Sequence, residues 1–206
     1  MRRTLRRFGG IATAVTLMGL ISLPAAAAAL ITDNMYPTVN TGWSCPSSDA
    51  LVRSGFCRTD NSTVTYYYNT SGLSATAKSR INVVAGRYNS TDLNFSYQSK
   101  AVWTGSGETD IVYFQGSIPT GYVGFAWCND QVDGTDRCDQ HYVRFKSSTP
   151  TTRTVCHETG HAVGLTHGQS AHRRLSNSDS RLGCMTTPSA SEHLGAQNVE
   201  MINATY

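Results

Sequence analysis

The sequence predicts an α+β fold, a twisted sheet packed by a few helices, on three observations. Short stretches rich in β-branched and aromatic residues recur between turn signals from residue 63 to residue 146. One stretch after Ser74 carries apolar residues at helical spacing. A capping pattern near the end of the chain announces a last helix.

The elements follow in order. Residues 63–69 (TVTYYYN) alternate β-branched and aromatic side chains, a strand signal. Ser74 can cap a long helix in which Ile81, Val84, Ala85 and Tyr88 fall at i, i+3, i+4 and i+7, a stripe that belongs to the core. Residues 93–98 and 109–114 read as two further strands, 121–128 (GYVGFAWC) as a glycine-containing one and 141–146 (HYVRFK) as the next. Between the last two lies an acidic loop with Asp130, Asp133, Asp136 and Asp139, flanked by Cys128 and Cys138. Hard cations take clustered oxygens, so this loop is a candidate for Ca²⁺, though it lacks the spacing of a calcium hand. Ser189-Ala-Ser-Glu192 has the capping-box form and predicts a helix running towards Ile202. No internal repeat or second boundary interrupts residues 62–206, which read as one domain.

Upstream of that domain the composition changes. Arg2, Arg3, Arg6 and Arg7 precede an apolar run from Ile11 to Leu23, and Pro24 leads into Ala25 to Ala29. This is the layout of a secretory signal peptide over residues 1–29. Thr13, Thr16, Ser22 and Pro24 interrupt the run, which is shorter than the ~20 residues of a spanning helix. Four of the 17 Lys and Arg lie in this segment and none of the 14 Asp and Glu, so the rest of the chain carries a formal charge of −1 against +3 for the whole. That balance offers no basic surface for nucleic acid, and no stable membrane association is expected once the signal is removed. Residues 30–61 are irregular and read as an N-terminal lap or a short pro-segment. All 6 cysteines follow the signal, none in a C-x-x-C pair, which in an exported chain predicts three disulfides. A secreted monomer is expected.

The informative segment is residues 156–167, CHETGHAVGLTH. A catalytic zinc takes three protein ligands and leaves one position for water. His157 and His161, four apart, share one helix face and can hold one ion. Glu158 sits ~100° away around the helix, beside the metal rather than on it, where a general base belongs. Val155, Thr159, Ala162 and Val163 fall on the opposite side. Gly164 can adopt a positive φ, end the helix and turn the chain so that His167 returns as third ligand. Zinc lowers the pKa of a bound water from far above neutrality to about 7, so the pattern points to hydrolysis in which Glu158 moves the proton. His141, His172 and His193 lack such spacing and read as ordinary polar residues.

His157, Glu158, His161, Gly164 and His167 together resemble the long zinc motif of the metzincin metallopeptidases, and Met185 stands where their Met-turn would be. The resemblance covers about three quarters of the chain. It implies a mixed twisted sheet with a long packing helix, an active-site helix, a Met-turn and a C-terminal helix, one catalytic Zn²⁺, and protein or peptide substrates. The compact size is similar to bacterial matrixin-like and snapalysin-like enzymes, without deciding between them. Snapalysins carry Asp where this chain has His167. Astacins and serralysins carry Tyr two residues beyond the Met, where this chain has Thr187. The resemblance further implies that Cys156 pairs with Cys184 beneath the metal. Cys128 would then pair with Cys138 and Cys45 with Cys57. If residues 121–127 form the sheet edge above the cleft, an extended peptide would add to it, with Gly121 and Gly124 leaving room and the backbone at Val123 and Phe125 taking part. Two other readings use the same motif: a zinc hydrolase of another amide such as peptidoglycan, and a non-catalytic zinc module. A structural site closes its fourth position with protein, and no fourth ligand is offered.

Overall fold

The computed structural model describes residues 32–45, 55, 57–105 and 107–206. The signal peptide read at residues 1–29 lies outside the described residues, as does part of the N-terminal lap. Six strands and three helices follow: β1 (Arg58–Thr59), β2 (Thr63–Tyr68), α1 (Ala75–Tyr88), β3 (Asn94–Tyr97), β4 (Ile111–Gln115), β5 (Gly124–Gln131), β6 (Arg137–Phe145), α2 (Thr152–Ala162) and α3 (Ala196–Thr205).

The sheet is mixed. Its path runs β1-β6-β4-β2-β3 with every pair parallel, and β5 joins β6 antiparallel. Cys138 of β6 pairs with Thr59 on one side and Gln131 on the other, so β4 and β1 share one edge of β6 and β5 forms the rim beyond it. Parallel neighbours need a long crossover, and α1 supplies it between β2 and β3. Ser74 caps α1 as its position implies, accepting a hydrogen bond from the Ala77 amide at 3.1 Å. Ala77, Ile81, Val84, Ala85 and Tyr88 form its buried stripe. They enter one core with Val64, Tyr66, Ile111, Tyr113, Val143 and Phe145 of the sheet and Val155, Ala162 and Met185 beyond it.

Four details differ from the pattern-based reading. The two-residue β1 lies in a segment read as irregular, since two residues carry no period. β5 starts at Gly124 rather than at residue 121, because Gly121 is at φ +95°, outside the strand region. β5 and β6 extend into the acidic loop and leave only residues 132–136 as the turn. Ser189 to Glu192 caps no helix. Glu192 faces Arg87 at 3.8 Å, a Gly183–Leu194 bridge holds the segment, and α3 begins after Gly195 with no side-chain cap.

All three disulfides are present, Cys45–Cys57, Cys128–Cys138 and Cys156–Cys184, with Cα separations of 5.4, 5.8 and 6.0 Å. Among the described residues, no helix is long and apolar enough to cross a membrane.

Candidate metal centre

α2 begins at Thr151, whose hydroxyl accepts from the Thr154 amide at 3.2 Å. One side of the helix is anchored through Thr159, which meets the Tyr113 hydroxyl at 2.9 Å, and through the Cys156 carbonyl, which accepts from the Tyr88 hydroxyl at 3.0 Å. The helix ends in a Schellman motif: the Leu165 amide donates to the Gly160 carbonyl at 2.8 Å, and the Gly164 amide to the His161 carbonyl at 3.0 Å. Gly164 has φ +92°, and a Cβ there would lie 2.8 Å from Arg58 Cγ, so the position requires glycine on two counts.

That turn brings three imidazoles together. His157 Nε2 lies 3.2 Å from His161 Nε2 and 3.1 Å from His167 Nε2. The other ring nitrogens of the helical pair are engaged from behind. His157 Nδ1 donates to the Cys184 carbonyl at 2.7 Å and His161 Nδ1 to the Leu165 carbonyl at 2.8 Å. With the proton held on Nδ1, each Nε2 turns its lone pair towards the neighbouring ring nitrogens. Burial disfavours the charged rings. It lowers His157, drives His161 well below its ordinary value with help from the other two rings, and takes His167 to about 4. Three neutral imidazoles with convergent lone pairs form a ligand set for a borderline-soft divalent ion such as Zn²⁺.

Glu158 is buried beside them, 6% exposed, and burial pushes its carboxyl up to about 8. Gly124 makes its space. A Cβ at that position would stand 2.6 Å from Glu158 Cγ and Oε1. The lack of a side chain at Gly124 therefore makes room for the glutamate, while a Cβ at Gly121 would meet nothing within 4 Å. Val123 and Phe125 also differ from expectation. The Lys146 amide donates to the Val123 carbonyl at 3.1 Å, and Phe125 pairs with Arg144, so the alternation of an antiparallel ladder turns both backbones towards β6. Gly124 and Ala126 are the residues whose amides and carbonyls face the outer rim.

Met185 is fully buried and packs on Gly160, where a Cβ would fall 2.2 Å from its sulfur. The Cys156–Cys184 bridge ties α2 to the segment whose carbonyl orients His157. Two hollows flank the histidines, one walled by Trp43, Tyr122, Phe125 and Ser170, the other by Val123, Thr154, Thr187 and Pro188. Trp43 and Tyr122 carry no motif in the sequence. Tyr122 could be found from its place in the rim segment, Trp43 only from the fold.

The four loop aspartates do not converge. Asp136 pairs with Arg58, and among the described residues no three acidic groups lie within 4.8 Å of one another. Asp130 lies on β5, Asp133 and Asp136 in the turn and Asp139 on β6, so the oxygens expected to hold Ca²⁺ at this loop are spread out and form no convergent cluster.

The N-terminal lap reaches the same region. The Asp33 amide donates to the His172 carbonyl at 3.1 Å, the Thr166 amide to Asn34 at 2.8 Å and the Tyr36 amide to Gly164 at 2.8 Å.

No protein-family model matches this sequence, and no curated protein matches it either. Among the solved structures that are similar in part are the following three. Myroilysin is 19% identical over 52% of this chain and 50% of its own, with a TM-score of 0.33. A second structure of myroilysin is 17% identical over 64% and 55%, with a TM-score of 0.35. Metalloproteinase-II from Bacteroides fragilis is 14% identical over 82% and 58%, with a TM-score of 0.39. The chain spans 50–58% of the length of these structures.

Proposed function

We propose that the chain is a secreted, zinc-dependent metalloendopeptidase. The observation that carries this reading is the convergence of three buried Nε2 atoms, backed by Nδ1–carbonyl hydrogen bonds, beside a buried glutamate in an open cleft. His157, His161 and His167 would hold the ion. Bound there, zinc supplies the Lewis acidity that activates water and polarises a scissile carbonyl.

The remaining chemistry belongs to the chain. Glu158 takes the proton of the attacking water and passes it to the leaving amine. Its raised pKa favours holding that proton, and a neighbouring cation will draw it down towards the range a base needs. Met185 and Gly160 fix the floor, and the Cys184 carbonyl keeps His157 in one tautomer. The outward backbone groups of Gly124 and Ala126 can pair with an extended peptide laid along β5. Residues 32–45 belong to the working domain in this reading, since Trp43 walls the cleft. Export rests on residues 1–29 and on the three disulfides.

The test joins metal analysis to digestion. Glu158→Ala keeps one zinc per chain while turnover of casein or a peptide library falls by about 10²–10⁴-fold. A chelator removes wild-type activity and zinc restores it. Digestion of peptidoglycan but not peptides would move the substrate to another amide, and zinc binding without hydrolysis of either would leave a non-catalytic module.

A further inference from the structure

Building on the peptidase reading, we infer that Trp43 makes the hollow on its side of the histidines a selective pocket for one aromatic side chain of the substrate, beside the bond that is cut. The residue comes from the N-terminal lap, outside both the histidine motif and the sheet.

The lap holds Trp43 in place by several independent ties. Backbone bridges pair Asp33 with His172 and Met35 with Leu165. The Thr38 hydroxyl donates to the Ser170 carbonyl, and Asn40 Nδ2 to the Ala171 carbonyl at 2.6 Å. Both acceptors belong to the turn that follows His167. The Thr41 hydroxyl and amide then close on the Thr38 carbonyl at 2.7 and 3.1 Å, which folds the lap back on itself before Trp43. Two residues beyond the indole, Cys45 is bridged to Cys57 next to β1. Tyr36 is buried and backs the indole, with ring centroids 6.1 Å apart and planes at 11°. A wall fixed in this way loses little freedom when a ligand packs on it.

The size and lining of the hollow select its occupant. It measures about 210 Å³. That is below the ~300–1,000 Å³ of sites that enclose a whole small ligand, and leaves room for one side chain. Trp43, Tyr122 and Phe125 supply rings to its wall, with Ala126 and Ser170 between them. Tyr122 meets Phe125 edge-on at 5.8 Å and is 53% exposed, so an occupant would remove much of its ring from water. Among the described residues, Glu158 is the one carboxylate in the lining, and no lysine or arginine is present. An acidic or basic side chain would therefore be desolvated there without a partner, whereas a flat ring finds faces and edges to pack against. The hollow also touches His161 and His167, which places its occupant next to the reacting bond. Side chains of an extended peptide alternate, so a backbone paired with the rim of β5 turns one residue inwards at this point. The hollow bordered by Thr187 and Pro188 has Tyr122 as its one phenyl or indole ring among the described residues, so ring selectivity belongs to the lap side.

The experiment uses the zinc-loaded full chain and quenched-fluorescent peptides that vary one residue on either side of the cut bond. On one side, Phe or Tyr should exceed Ala by about 10–100-fold in kcat/KM, with Asp and Lys poorest. Trp43→Ala should lower that Phe-to-Ala ratio about tenfold, and Trp43→Phe should keep most of it. Trp43→Leu retains an apolar wall against Tyr36 and should also lower the ratio, which covers the case of an unstable alanine variant. Val39→Ser, at a lap position 80% exposed, should leave the ratio as it is. Anisotropy with the same peptides and zinc-loaded Glu158→Gln should repeat the ranking in Kd without turnover. Ring-selective binding with no hydrolysis by the wild type would remove the peptidase reading and keep the pocket. Hydrolysis with no ring preference, or a preference that persists in both Trp43→Ala and Trp43→Leu, overturns the assignment to Trp43 and leaves the peptidase standing. Peptides neither bound nor cut would overturn both.

Discussion

Gly124 faces a glutamate, and that contact makes a residue-scale test. Its φ is ordinary, so alanine fits the backbone, but the added Cβ would stand 2.6 Å from Glu158. The carboxyl must move while the three imidazoles stay in place. Gly124→Ala should therefore lower kcat by about 10²-fold, as misplacement of a catalytic group by an ångström does, with zinc content unchanged. Near-normal turnover would show that Glu158 adapts and that its position is not critical. The convergence of the candidate metal-centre residues was readable because their geometry is local. His157, Glu158, His161 and Gly164 are placed by one helix and its C-cap, and the pattern of residues encodes both. The reason for Gly124 was not readable, because its neighbour in space is 34 positions away in sequence. Trp43 was invisible for the same cause.

At the scale of elements, β5 is the case to press. Its register turns Phe125 towards β6 and Ala126 towards the open rim. Proline is tolerated on an edge strand where the lost N–H faces outward. Ala126→Pro should keep the fold and raise KM for an extended peptide about tenfold, the worth of one hydrogen bond. Phe125→Pro should instead break the β5–β6 ladder and lower Tm. Equal effects of the two on KM and Tm would refute this placement of substrate. Strand and helix positions came through well where a period ran for five residues or more, as in β2 and α1. Boundaries failed where a local signal met a tertiary constraint. The Ser189 pattern offers a cap, yet the contact of residues 183 and 194 keeps that stretch out of the helix.

For the molecule as a whole, pH sets a limit on stability through His141. The ring is fully buried on β6, and burial lowers its pKa to about 3. The unfolded chain carries a histidine near 6.5, so on acidification it takes up the proton before the folded chain does. Stability from this group is therefore complete above about 6.5 and is lost as pH falls towards about 3, by a few kcal/mol. Asp110, raised to about 7, works in the opposite sense between its unfolded value and neutrality. His141→Leu should accordingly flatten the acid limb of a Tm-against-pH curve relative to wild type; parallel curves would remove His141 from the account. None of this was legible beforehand, when His141 read as an ordinary polar residue. Sheet order was likewise beyond the residues, and only the family resemblance implied a mixed sheet.

The lap has a consequence in time. Asn34 donates to the Thr166 carbonyl at 3.2 Å and to Asn198 Oδ1 at 3.0 Å, a partner 164 residues later in the chain. Asn198 in turn donates to the Leu182 carbonyl at 2.6 Å. The stretch that presents His167 is thus clasped between the earliest described residues and the last helix. A chain growing from its N-terminus acquires His157 and His161 on a helix of their own, but His167 gains its full support only when α3 has emerged. A chain that has not yet made α3 already carries His167, but Asn34 then lacks Asn198 behind it, so the stretch presenting that imidazole is clasped on one side only until residues 196–205 have been added.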